Sequence, residues 1–213
     1  YKYMLIVTSD EAKARKMCDD ASFFNKEAIY YPAKDAIFYS ADVHGNQITG
    51  ERLRCISRII NHSSTGEGVL TVVTTMDGIA DRLIPVERFK EAVITLDYSS
   101  EIEPEKLAKK LVAMGFVRTG MVEDKGQFAV RGGIIDIFSY TDEAPVRIEL
   151  WDTEVDSIRM FDVESQRSIE RLQSYSIFPA TEYIFTEDEL KNGLYNIKEE
   201  CDRQLECFDY GKR

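Results

Sequence analysis

Partway along this chain the spacing of its apolar residues changes, and the change limits the fold to two differently built parts. Residues 3–8, Tyr-Met-Leu-Ile-Val-Thr, form a continuous apolar run closed by Ser9-Asp10, the pattern of a strand buried on both faces of a parallel sheet. A helix is expected directly after it, opened by a capping box of Thr8 and Glu11 and carrying Ala14, Met17, Cys18 and Ala21 on one face. The alternation continues with a short strand at Ala28–Tyr31, a helix bearing Leu53, Ile56, Ile59 and Ile60, a strand at Val69–Thr74 and a last strand near Ala92–Leu96 that closes this half. Strands alternating with helices predict a parallel, doubly wound layer. The chain starts inside a strand without an initiator methionine, which reads as a segment of something longer.

From Pro104 the pattern predicts one more helix, with Leu107, Ala108, Leu111 and Val112 inward and Gly115 as its stop. Beyond it the period becomes two. Val146, Ile148 and Leu150 alternate with Arg147, Glu149 and Trp151, and Phe128 and Val130 do the same before Gly132-Gly133, which predicts an antiparallel sheet with one wetted face. After Phe178-Pro179 a final helix is expected, opened by a second capping box of Thr186 and Glu189 and running through Leu190, Leu194 and Ile197.

Composition excludes several function classes. A net charge of −11 opposes general nucleic-acid binding, and it is uneven: residues 1–100 hold 12 basic and 14 acidic side chains, leaving 15 and 24 in the rest. No run approaches a membrane span and the first residues lack a basic start, an apolar middle and a small-residue cleavage site, so a cytoplasmic protein without membrane contact is expected. The four cysteines, at 18, 55, 201 and 207, form no CxxC pair and read as reduced thiols. No GxxxxGK[ST] loop occurs, and Gly66-Glu67-Gly68 precedes a strand, so it reads as a plain turn. His44 and His62 lack a second ligand at helical spacing and read as surface or loop histidines. Glu149, Asp152, Glu154 and Asp156 bunch at an expected hairpin turn and read as solvated acids ahead of an acid/base or metal set. The strongest local feature is Gly126–Phe138, two strands around a double glycine that leaves Arg131 beside a flat surface. Two readings stand: a bulge with an exposed arginine, or a planar fork for a partner's carboxylate.

That segment, with Arg147-Ile148-Glu149-Leu150-Trp151-Asp152, Val155–Asp162 and Ser165-Gln166-Arg167, resembles the domain shared by UvrB and the transcription-repair coupling factor. The resemblance extends through Tyr31-Pro32-Ala33, Gly50-Glu51-Arg52-Leu53 and Ile177-Phe178-Pro179-Ala180, over about residues 1–185. It sides with the coupling factor, because only a short polar stretch follows Tyr31-Pro32 where UvrB carries its strand-separating aromatic hairpin. What the resemblance implies is an α/β chain: an incomplete, degenerate P-loop helicase-like parallel layer at residues 1–96, an inserted UvrA-binding α+β domain with an antiparallel sheet at 97–178, and a return segment at 179–213. It implies a non-catalytic recruitment module that docks UvrA, with no cofactor of its own. ATP, Mg, RNA polymerase and double-stranded DNA would belong to other domains of the parent motor. Mapped by position, Arg118, Arg131, Gly132 and Phe138 are the implied UvrA contacts. Ala129 departs from UvrB, which has a basic residue near that position. The rival readings are a clamp that autoinhibits the parent motor in cis and a UvrB-like fragment that binds nucleotide or DNA.

Overall fold

A computed structural model describes residues 1–34, 42–65, 68–81 and 83–210. It forms two compact units, Tyr1–Glu182 and Tyr183–Arg213. The first unit begins with β1 (Tyr3–Thr8), α1 (Glu11–Phe24), β2 (Ala28–Tyr31), α2 (Asp42–Thr65), β3 (Leu70–Thr75), α3 (Met76–Ala80) and α4 (Val86–Glu91). The three strands are parallel in the order β1-β3-β2. Residues alternate between the faces of β2: Ala28 packs with Ala14 and Cys18 of α1, whereas Ile29 and Tyr31 pack with Cys55 of α2. The layer is therefore helix-covered on both sides, as the alternation predicted.

Several expectations for this half are corrected. Only β3 has strands on both sides; β1 lies at the edge, and its Met4 and Leu5 are 52% and 59% exposed, so the apolar run does not mark a strand buried on both faces. Asp10, not Thr8, caps α1 and accepts from Lys13 N at 2.9 Å, because Glu11 falls at the first helical position. Met17 is largely exposed, off the narrow stripe formed by Ala14 and Cys18. His62 is buried at the end of α2, its Nε2 3.1 Å from the Lys2 carbonyl and its ring edge-on to Tyr3. The side chain of His44, the turn at Gly66-Glu67 and most of the polar stretch after Tyr31-Pro32 lie outside the described residues.

The remainder of the unit comprises β4 (Ile94–Asp97), α5 (Pro104–Ala113), β5 (Val117–Arg118), β6 (Gln127–Arg131), β7 (Ile134–Phe138), β8 (Val146–Trp151), β9 (Glu154–Phe161), β10 (Ser168–Arg171) and β11 (Ser174–Ile177). Six strands form one sheet in the order β10-β9-β8-β7-β6-β5, antiparallel except for β5 with β6. The strand expected to close the first layer does not join it. β4 pairs antiparallel with β11 instead, and its Leu96 enters the core beneath α5. That core contains Leu107 and Leu111 of α5 with Phe128, Ile135, Ile137, Ile148 and Ile158 of the sheet, each side chain contributing about 1.5–3 kcal/mol. Val112 is 56% exposed, because a helix lying on one sheet buries a stripe narrower than the forecast face.

The end of the first unit is tied to its beginning by charge. Arg52 is fully buried, and its Nε and Nη2 donate to Glu182 at 2.6 and 3.0 Å while Nη1 donates to the Pro32 carbonyl at 2.7 Å. The guanidinium lies 4.3 Å over the Tyr31 ring, Asp81 stands 3.3 Å from Nη1, and Lys34 is 3.1 Å from Glu182. A second polar tie joins the β7–β8 loop to β11: the Asp142 carboxylate accepts from the buried Tyr175 hydroxyl and from Thr141 at 3.1 Å. Burial pushes the Asp142 carboxyl up.

In the second unit α6 (Glu187–Tyr210) starts at the forecast capping box: Glu189 N donates to Thr186 Oγ1 at 3.2 Å and Thr186 N donates to Glu189 Oε2 at 2.9 Å. Leu190, Leu194 and Ile197 share one face and each is more than half exposed. Among the described residues Cys18, Cys55 and Cys201 are free thiols, and no helix is long and apolar enough to cross a membrane.

Replacing Glu182 with alanine leaves the Arg52 charge buried without its bidentate partner and is expected to cost about 3–5 kcal/mol, read from the urea unfolding midpoint. Asp142 gives a pH signature of its own. Because its folded pKa is raised, its stabilisation is complete below the ordinary aspartate range and is lost as pH rises through the folded value. Wild type is therefore expected to lose stability relative to Asp142→Asn as pH is raised from about 4 to about 7 in unfolding titrations.

Candidate functional site

The β6–β7 connection is a two-residue hairpin. Arg131 pairs with Ile134, and only the first of the intervening glycines has a positive φ, +60° at Gly132, the pattern of a type II′ turn. A Cβ on Gly133 would sit 2.9 Å from the Leu150 carbonyl oxygen, and Leu150 N donates to the Gly133 carbonyl at 2.8 Å, so the neighbouring strand needs a bare backbone there. The double glycine is thus a turn pressed against β8, not a bulge.

Alternation then sorts the implied contact residues between the two faces of the sheet. Arg118 is in register with Phe128, on the core side beside α5, where it donates to Glu105 at 3.0 and 3.2 Å; this pairing holds the Glu105 carboxyl below its usual value. Arg131, Asp136 and Phe138 lie on the opposite face. The structure therefore brings Arg131, Gly132 and Phe138 onto one hairpin and separates Arg118 from them. Phe138 is only 8% exposed, packed with Val122, Ala129 and Val163, so it is an internal support and not an exposed anchor. Ala129 is equally internal in this cluster, 1% exposed.

Arg131 remains 40% exposed at its side chain, but its guanidinium already has a carboxylate within the chain. Asp136, 1% exposed in the middle of β7, accepts from Arg131 and, at 2.7 and 2.9 Å, from Nε and Nη2 of Arg147. Arg147 lies 4.3 Å over the Phe161 ring and also donates to Gln166 Oε1 at 2.8 Å. Gln166 reaches it because the turn after β9 is built for the purpose. Asp162 Oδ1 accepts from Ser165 N and Oγ at 2.8 and 2.7 Å, which holds its carboxyl low, and Gln166 takes a left-handed φ of +58°. Asp136 and Gln166 were not singled out from the sequence. The signal for Asp136 was present in Ile134-Ile135-Asp136-Ile137, since a carboxylate inside an apolar strand is tolerated only when paired.

The acids at the β8–β9 turn divide in the same way. Glu149 accepts from Ser157 Oγ at 2.7 Å and pairs with Arg159, while Asp152 occupies the turn with φ +59°. No group of three or more His, Cys, Asp or Glu able to hold a metal occurs among the described residues. What the site offers is recognition: an exposed guanidinium edge, held in place by a buried carboxylate, beside a tight turn. Replacing Asp136 with asparagine removes the charge shared by two arginines and is expected to cost about 3 kcal/mol, and Phe138→Ala is expected to cost about as much through the cavity it leaves; denaturant midpoints check both.

Residues 94–183 match the family model of the UvrB interaction domain. The transcription-repair-coupling factor of Bacillus subtilis (strain 168) is 38% identical over 198 residues, covering 92% of this chain and 16% of that protein. The transcription-repair-coupling factor of Staphylococcus haemolyticus is 36% identical over 199 residues, with 92% and 16% covered, and one from Staphylococcus aureus 35% over 211 residues, with 95% and 18% covered. The chain spans less than a fifth of the length of these relatives. Residues 94–183 are thus similar to the UvrB interaction domain, in a chain that is similar over nearly its whole length to a segment of the transcription-repair-coupling factors.

Proposed function

We propose that this chain is a non-catalytic recruitment module that docks UvrA, bringing nucleotide excision repair to a stalled RNA polymerase. The observation that carries the reading is the placement of Arg131: within the segment that matches an interaction domain, it stands half-exposed on a rigid hairpin, with Asp136 holding its guanidinium from below. An arginine pre-oriented in this way loses little entropy when it takes a partner's carboxylate, which suits the fork geometry of such contacts. The three-stranded layer is proposed to be the remnant of a helicase-like fold that carries no chemistry here. ATP hydrolysis, Mg, RNA polymerase and DNA contacts are assigned to other parts of a longer cytoplasmic protein.

A second reading, packing in cis against the rest of such a protein, draws support from the exposed apolar side chains of the β1 edge, Met4 and Leu5. The two readings use different surfaces and are compatible. Calorimetry with purified UvrA tests the first. Wild type is expected to bind, and Arg131→Ala to weaken binding by about 2 kcal/mol while Arg118→Ala, on the opposite face, changes it by much less. Wild type without measurable affinity would remove the docking reading and leave the cis clamp.

A further inference from the structure

Three arginines stand side by side on the open face of the six-stranded sheet. Arg147 of β8 is opposite Arg159 of β9, and Arg159 is opposite Arg171 of β10. Like charges directly opposed weaken a strand pair, so a row of this kind needs either internal carboxylates or an external use. Asp136 and Glu149 serve Arg147 and Arg159. Arg171 is exposed, and its side chain makes no ion pair or hydrogen bond among the described residues.

Across β7 and β6 this row meets Asp136 and Ala129. Arg131 lies on the same face of β6, and Ile134 and Glu149 fill the positions between it and β9. Trp151 ends β8 beside that turn and is 79% exposed. Exposed tryptophan and arginine are the side-chain types that most often dominate binding energy at protein interfaces.

We propose that Arg131, Trp151, Arg159 and Arg171 form one continuous docking strip for an acidic protein surface, which supplies carboxylates to the arginine row and an apolar seat to the indole. The proposal rests on the docking reading above and names the chemistry its partner must present. Charge selects the occupant. Around the arginine row this face sets Arg131, Arg147, Arg159 and Arg171 against Asp136 and Glu149, with Glu154 opposite Trp151 at its edge, so the row is a local cationic patch that meets a partner's carboxylates at contact range. Neighbouring strands are about 4.8 Å apart, so the row from Arg147 to Arg171 spans about 10 Å, a length matched by acidic residues two turns apart on one exposed helix, about 10.5 Å. Nucleic acid is the poorer occupant: three of the four arginines are already held by carboxylates, which leaves Arg171 alone of the four to displace counterions along a phosphate backbone.

Calorimetry of the chain with UvrA, together with thermal melts and a titration with duplex oligonucleotide, tests the strip through Arg171→Glu and Trp151→Ala. Each variant is expected to bind UvrA about tenfold more weakly. Arg171→Glu is expected to melt no lower than wild type, because the new carboxylate faces Arg159, and that result separates lost contact from lost fold. If both variants bind as wild type does while Arg131→Ala is weakened, the strip is wrong and docking through Arg131 stands. Duplex binding by wild type that Arg171→Glu abolishes, with UvrA affinity unchanged, overturns the proposal in favour of nucleic acid. A wild-type chain that does not bind UvrA removes the docking reading and this inference together.

Discussion

A guanidinium has five N–H donors and cannot shed its charge, so it survives full burial only where acceptors from several directions meet it. Arg52 finds them in separate stretches of chain, Glu182 from the end of the unit and the Pro32 carbonyl after β2, with the Asp81 carboxylate after α3 standing close by. The first layer cannot close around this side chain until the chain has passed through the second sheet and returned. Folding of the two parts is coupled through the Glu182 carboxylate, which pairs with both Arg52 and Lys34, although their apolar cores are separate clusters.

The same physics recurs at smaller scale on the second sheet. Asp136 sits within an apolar strand and is tolerated because Arg131 and Arg147 pair with it. The pairing costs desolvation that it only partly returns, so its benefit is geometric more than energetic. It holds an exposed arginine edge at a defined place beside a turn whose glycines let β8 approach closely. Recognition by a rigid, already oriented cation differs from recognition by a free surface lysine, since most of the ordering entropy is spent during folding.

The acidic balance of the chain gives this arrangement its meaning. On an evenly charged surface an arginine row would be one patch among many; here the surrounding carboxylates make it a local exception, where a partner's carboxylates meet guanidinium groups at contact range. The opposite side of the sheet is filled by α5, whose Leu107 and Leu111 close the core and leave Arg118 paired with Glu105 at its rim.

Local physics made much of this protein legible from residues alone. Apolar spacing identified α5, β6 and β8, because burial of one face writes itself into the spacing of apolar side chains, and apolar runs located β1, β2 and β3 as strands. The Thr186–Glu189 cap was readable because both partners are three residues apart. What required the tertiary structure was every relation between distant segments. Strand order put β1 at an exposed edge and sent β4 to β11; the register of β6 with β5 put Arg118 and Arg131 on opposite faces; and packing turned Phe138 inward. The sequence by itself determined the elements and the family they resemble, since those depend on neighbours along the chain. Which charges are buried, which are paired and which remain free for a partner was decided only when Arg52 met Glu182 and Arg171 came to lie beside Arg159, contacts that no local spacing encodes.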